Sequence, residues 1–130
     1  MVKRKVKDFL YKDLTYKIRG VMFAVHRELG SGHKEQVYQK ALAKEFVERR
    51  IPFEAEKTLD VIYKGEKVGV YKPDFIVDNR ILIEVKAVPV LSKNAEAQLS
   101  HYLRGTPYKL GLLVNFGAKS LDIRRRIWTK

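Results

Sequence analysis

A chain of 130 residues with 45% hydrophobic content can bury one core, and its lack of cysteine excludes disulfide scaffolds and thiolate zinc sites. Against 15 Asp and Glu stand 27 Lys and Arg, a net charge of +12 that favours nucleic acid or an acidic membrane surface as partner, although the same surplus also serves solubility. No apolar run approaches the ~20 residues of a membrane span, and no signal-type apolar segment follows the basic start, so one domain over 1–130 and a cytoplasmic location are expected.

In chain order, residues 1–12 carry Lys3, Arg4, Lys5, Lys7 and Lys12 beside Phe9, Leu10 and Tyr11, and read as a solvated tail or a phosphate-contacting arm. A helix is expected over 13–29, capped by Asp13, with Leu14, Ile18, Val21, Met22, Val25 and Leu29 on one face and His26 on a polar flank. Gly30 ends it. After Gly30-Ser31-Gly32 a second helix is expected over 33–50, with Val37, Tyr38, Ala41, Leu42 and Phe46 apolar and Ile51-Pro52 as its stop. The short link makes the two helices pack antiparallel or at a wide angle. Glu35, in a first turn, is accounted for by the helix dipole alone, and Tyr38 by core packing with a satisfied hydroxyl.

Residues 53–63 read as a strand, Lys64-Gly65-Glu66-Lys67 as a turn, and 68–78 as the returning strand. Pro73 has no N–H to donate, so an edge or kink is expected there, and a kink could aim Asp74. The runs 75–77 and 81–83 flank Asp78-Asn79-Arg80 and read as a hairpin. Along the second strand Leu82, Glu84 and Lys86 share one face, and Ile81, Ile83, Val85 and Ala87 the other. A three-residue loop would pair Val77 with Ile81 and set Asp74 opposite Glu84; a two-residue loop would part them to opposite faces. Ile-Leu-Ile-Glu-Val-Lys-Ala-Val is almost continuously apolar, as a central strand is. A charge pair, Glu84 and Lys86, inside it is costly without a purpose. Two carboxylates that close repel unless a cation sits between them, and oxygen donors suit Mg²⁺ or Mn²⁺.

Ser92 is placed to cap a third helix over 93–104, with Ala95, Leu99, Tyr102 and Leu103 inward and Gly105 and Pro107 closing it. Gln98 and Tyr102 lie one turn apart on it. Residues 108–116 form a buried strand, and strand–helix–strand in this order allows a parallel crossover. Residues 121–128 alternate apolar and basic, a last strand on which Arg124, Arg125 and Arg126 are either phosphate contacts or a solvated run.

Pro73-Asp74, a gap, then Glu84-x-Lys86 resembles the core motif of the PD-(D/E)xK nuclease superfamily. Gly32-x-x-Glu35-x-x-Tyr38 resembles the signature of the GxxExxY proteins, placed in that superfamily, and Gln98-x-x-x-Tyr102 resembles an extra motif of its RecB-like members. The three matches span residues 32–102 in the family's order. The resemblance implies an α/β, restriction-endonuclease-like fold: a central mixed β-sheet flanked by helices, two of them N-terminal. It implies a metal-dependent nuclease acting on nucleic acid, with DNA the expected polymer. Asp74 and Glu84 would then bind Mg²⁺ or Mn²⁺ with the Val85 carbonyl, and Glu35 would complete the shell through water. Lys86 would orient the attacking water, Gln98 would help hold it, and Tyr102 with Arg124, Arg125 and Arg126 would contact the nucleic acid. A junction resolvase, which would need a homodimer, and a non-catalytic basic binding module with a vestigial site are the alternatives.

Overall fold

A computed structural model describes residues 10–129. The basic segment up to Phe9 lies outside the described residues, and with it most of the arm considered above. Helices α1 (Lys12–Leu29) and α2 (Glu35–Glu48) come first. They are followed by β1 (Phe53–Ala55), β2 (Leu59–Tyr63), β3 (Glu66–Tyr71), β4 (Phe75–Val77) and β5 (Ile81–Lys86). Helix α3 (Lys93–Gly105), β6 (Leu110–Asn115) and β7 (Asp122–Ile127) complete the chain. Five strands form one mixed sheet in the order β1-β4-β5-β6-β7, and β2 with β3 forms a separate hairpin. The pair β5–β6 is parallel, bridged by α3, and the other pairs are antiparallel.

β5 is the centre, and its alternation sorts the two cores. Ile81, Ile83 and Val85 face α1 and α2, among Ile18, Met22, Tyr38 and Phe46. Leu82 faces α3 with Ile76, Leu99, Leu103 and Leu113. Glu84 and Lys86 continue the Leu82 face, at the end of β5 where the packed layer gives way to a cleft.

Several expectations shift by a few residues for identifiable reasons. Asp13 does not cap α1; Tyr11 holds that position in a left-handed conformation, and Asp13 sits in the first turn, where its charge favours the dipole. His26 is half-buried, with its ring 6.3 Å from that of Phe116, rather than on a polar flank. Each long strand proposed around 53–78 is broken into two. Glu56 turns to φ 55° while its amide still reaches the Asp74 carbonyl at 3.1 Å, so β1 leaves the sheet there and β2 starts a new pairing. On the return strand the break falls at Pro73, which cannot extend the ladder. Tyr38 packs as expected. It is fully buried and stacked on Phe116 at 4.4 Å, and its hydroxyl donates to the Gly30 carbonyl at 2.6 Å. It also accepts from the His33 amide, so it staples the turn in which Gly32 takes φ 108°.

Candidate active site

The β4–β5 hairpin decides the site. Asp78 and Asn79 both take left-handed φ, which Asp and Asn tolerate, and Asp78-Asn79-Arg80 is a three-residue loop. Val77 therefore pairs with Ile81 and Phe75 with Ile83, and the same register carries Asp74 to Glu84. Asp74 lies one residue before β4, freed from the ladder by Pro73. Its Oδ2 accepts from the Val85 amide at 2.7 Å and its Oδ1 from the Gln39 amide at 3.1 Å. The same Gln39 nitrogen donates to Glu35 Oε1 at 3.3 Å. Helix α2 thus delivers a third carboxylate to the two on the sheet.

Glu84 is gripped from the other side. The hydroxyl of Tyr71, the last residue of β3, donates to Glu84 Oε1. The Tyr71 ring is buried and stacks on Tyr102 of α3, centroids 3.5 Å apart and 7° from parallel. The Tyr102 hydroxyl accepts from Gln98 at 3.3 Å. Gln98, expected at the water, here stands behind Glu84 with Tyr102 and Tyr71 between them, and also on the wall of an open cavity of about 560 Å³, which Lys86, Leu91 and His101 line with it.

The electrostatics follow from burial and crowding. Burial, and then the neighbouring Asp74, push Glu84 up to about 7, against the opposing pull of the Tyr71 hydrogen bond and Lys86. Burial raises Asp74 too, although the Val85 amide, Lys86 and Gln39 hold it down in part. Glu35 is raised by burial and by Asp74. Among the described residues Lys86 is the cation that acts favourably on all three carboxylates, and their values stay raised despite it. Tyr71, hemmed by burial and the Glu84 charge, keeps its proton.

The loop leaving β5 is also tied. Asn115, fully buried at the end of β6, accepts from the Val88 and Gly117 amides at 3.0 Å each and donates to the Val88 carbonyl at 2.8 Å. The Phe116 amide donates to the Lys86 carbonyl at 2.9 Å. A side chain at position 117 would overlap the backbone of Ala87 and Val88, so glycine is required there.

A family model described as the PD-(D/E)XK nuclease superfamily matches residues 12–127. The chain belongs to that superfamily. Neither the curated proteins nor the solved structures include a match to it. The five-stranded mixed sheet and the three helices that flank it among the described residues are consistent with the restriction-endonuclease-like fold.

In this PD-(D/E)XK domain no group of three or more His, Cys, Asp or Glu side chains closes into a cage among the described residues. The residues present still fit a hard divalent cation. The site offers only oxygen donors, and two carboxylates suffice for Mg²⁺, which keeps its other positions for water and phosphate oxygens. Burial raises both Asp74 and Glu84, and Asp74 raises Glu84 further, so each carboxylate is costly to ionise without a cation beside it.

The tail arginines are engaged differently from a bare phosphate-binding run. Arg124 bonds Glu96 at 2.8 Å and Asp122 at 3.0 Å, and Arg126 bonds Glu96 at 2.9 Å, because alternate residues of β7 face α3. Arg125 points the other way, towards the Leu10 carbonyl. Gln39, Tyr71 and Asn115 were not singled out from the sequence. Gln39 had a signal in its position one turn after Glu35, and Tyr71 in its place just before Lys72-Pro73-Asp74; Asn115 had only its polarity inside a buried strand.

Proposed function

We propose that this domain is a divalent-metal-dependent nuclease that hydrolyses phosphodiester bonds of DNA. The observation that carries the reading is the meeting of Asp74 and Glu84 across the β4–β5 register, with Lys86 on the same strand face as Glu84. Asp74 and Glu84 would hold Mg²⁺ or Mn²⁺, with Glu35 as a further donor through water. The Val85 carbonyl would join them, because it leaves the strand on the side of the amide that bonds Asp74. When bound, the ion supplies charge neutralisation at the phosphate and a more acidic water. The chain's own groups do the rest. The Val85 amide and Gln39 hold the two oxygens of Asp74 so that the carboxylate cannot rotate. Tyr71 does the same for one oxygen of Glu84. Lys86 orients the attacking water and offsets charge developing on the phosphoryl oxygens. Gln98 offers its amide to water or phosphate from the Lys86 cavity. The restriction-endonuclease-like fold supports DNA as the polymer, and Gly32, Glu35 and Tyr38 support a narrower place among the GxxExxY proteins.

The test uses the full chain with circular, linear and branched DNA and with RNA, in Mg²⁺, Mn²⁺ or EDTA. Cleavage of DNA that EDTA stops, and that Asp74→Asn, Glu84→Gln and Lys86→Ala each abolish, is the expected result. Salt-sensitive DNA binding with no cleavage in either ion would leave only a binding module.

A further inference from the structure

A second cavity, of about 690 Å³, opens where the C-terminal half of α3 meets the end of β7, lined by Ser100, Arg104, Arg125, Arg126, Trp128 and the residues next to them. No carboxylate is on its wall, although Arg126 is paired from behind with Glu96 at 2.9 Å and Arg125 donates to the Leu10 carbonyl at 3.4 Å, which leaves Arg104 to carry the contact. The Arg104 guanidinium lies over the Trp128 indole, 4.3 Å from the ring centroid. Such a contact holds a long side chain in place, which lowers the entropic cost of using it to bind. Among the described residues β7 is the sheet edge, and no strand of theirs covers its outer side. The Trp128 amide bonds the Lys109 carbonyl beside the start of β6, whereas Glu84 lies toward the end of β5. Strand rise and spacing put the cavity roughly 15–20 Å from Glu84.

The exposed side of α3 connects the two places. Gln98 and His101 line the cavity beside Lys86, and Arg104, the next position three residues on, lines this one. Neither cavity has a carboxylate on its wall, in a chain of net charge +12. A polyanion laid along α3 would meet cationic or hydrogen-bonding groups at both ends.

We infer that the Arg104–Arg125–Arg126–Trp128 cavity is a polynucleotide-binding subsite. It takes a phosphate of the substrate strand a few nucleotides from the bond that is cut, with Arg104 braced on Trp128 as its main contact. The inference rests on the nuclease reading for the direction of the strand, but its test does not require cleavage. Trp128 is the single tryptophan, so its fluorescence reports on this cavity alone. In EDTA, an oligonucleotide of about 16 nucleotides should change Trp128 emission in a saturable, salt-sensitive way. Millimolar inorganic phosphate should not reproduce the change. Arg104→Ala should weaken the response about tenfold, Arg104→Lys should recover part of it, and Asp74→Asn should retain it. With cleavage measured, Arg104→Ala should raise KM for the same strand about tenfold and move kcat less than twofold. An emission unmoved by the oligonucleotide, or moved equally well by inorganic phosphate, overturns the subsite. A normal emission response from a protein that cuts nothing overturns the nuclease reading and leaves the subsite standing.

Discussion

The rings of Tyr71 and Tyr102 lie 3.5 Å apart and 7° from parallel, and this stack joins the β2–β3 hairpin to α3 directly behind Glu84. It explains why a chain that spends two short strands on a separate hairpin gains from doing so. The hairpin brings a hydroxyl to a buried carboxylate that has few other partners. Tyr71→Phe keeps the stack and removes that hydroxyl. We expect kcat to fall about tenfold, the equivalent of ~1.4 kcal/mol, with the folded state little changed. Tyr71→Ala should also lose roughly 3 kcal/mol in urea unfolding, because the buried ring goes as well. Equal kcat in Tyr71→Phe and wild type would show that Glu84 needs no holding.

Asn115 and Gly117 set the path of the chain after Lys86. Asn115→Ala leaves the Val88 and Gly117 amides and the Val88 carbonyl without their side-chain partner in a part-buried place, at a cost of about 1–3 kcal/mol for each group that finds no water. Thermal unfolding should show a clear loss. Gly117→Ala forces the 87–88 backbone to shift, so it should lower kcat more than its effect on stability accounts for. A Gly117→Ala protein with wild-type kinetics would mean that this loop does not position Lys86.

How much of this could be read beforehand follows from where the information sits. Glu84 and Lys86 were placed correctly on one face of β5 because strand alternation is local. The meeting of Asp74 with Glu84 needed the loop length, and the sequence left two lengths open; the left-handed Asp78 and Asn79 decide for three. The two long strands around 53–78 read as continuous because β-branched runs do not announce a change of sheet. Only Pro73 marked one of the breaks. Gln39 and Tyr71 act through contacts with residues 35 and 13 positions away in sequence, which periodicity does not encode. The pairing of Glu96 with Arg124 and Arg126 is long-range in the same way, and it turns part of an apparent basic patch into a tie between α3 and β7.

Gln39 stands between two acids of the site. Its amide nitrogen reaches both Glu35 and Asp74, so it spaces them and lends each a donor. Gln39→Ala should lower kcat about tenfold at saturating Mg²⁺, since Asp74 keeps only the Val85 amide to fix it. Gln39→Glu should be worse in kcat and less stable in EDTA, because it replaces that donor with another negative charge. Calorimetric titration with Mn²⁺ separates lost positioning from lost affinity. Unchanged kcat in both variants would remove Gln39 from the working site.

The cost of ionising Glu84 predicts a pH dependence of folding in the absence of divalent ions. Its carboxyl, pushed up to about 7, binds a proton more tightly in the folded chain than an exposed glutamate at 4.5 does. The contribution to stability is therefore fully present below about pH 4.5 and is lost as pH rises through about 7. At about 1.4 kcal/mol for each tenfold change in proton activity, the loss from this group is on the order of 3 kcal/mol. Asp74 and Glu35 are displaced in the same direction and steepen it. In EDTA the urea midpoint of wild type relative to Glu84→Gln should fall between about pH 5 and pH 8, because the amide cannot ionise. At pH 8 the variant should be the more stable protein. Adding Mn²⁺ at that pH should restore wild type and leave the variant nearly unmoved, since a ligand raises stability only where it binds the folded state. A wild type as stable at pH 8 as Glu84→Gln, with no response to Mn²⁺, would mean that the two acids are not costly to ionise and hold no ion.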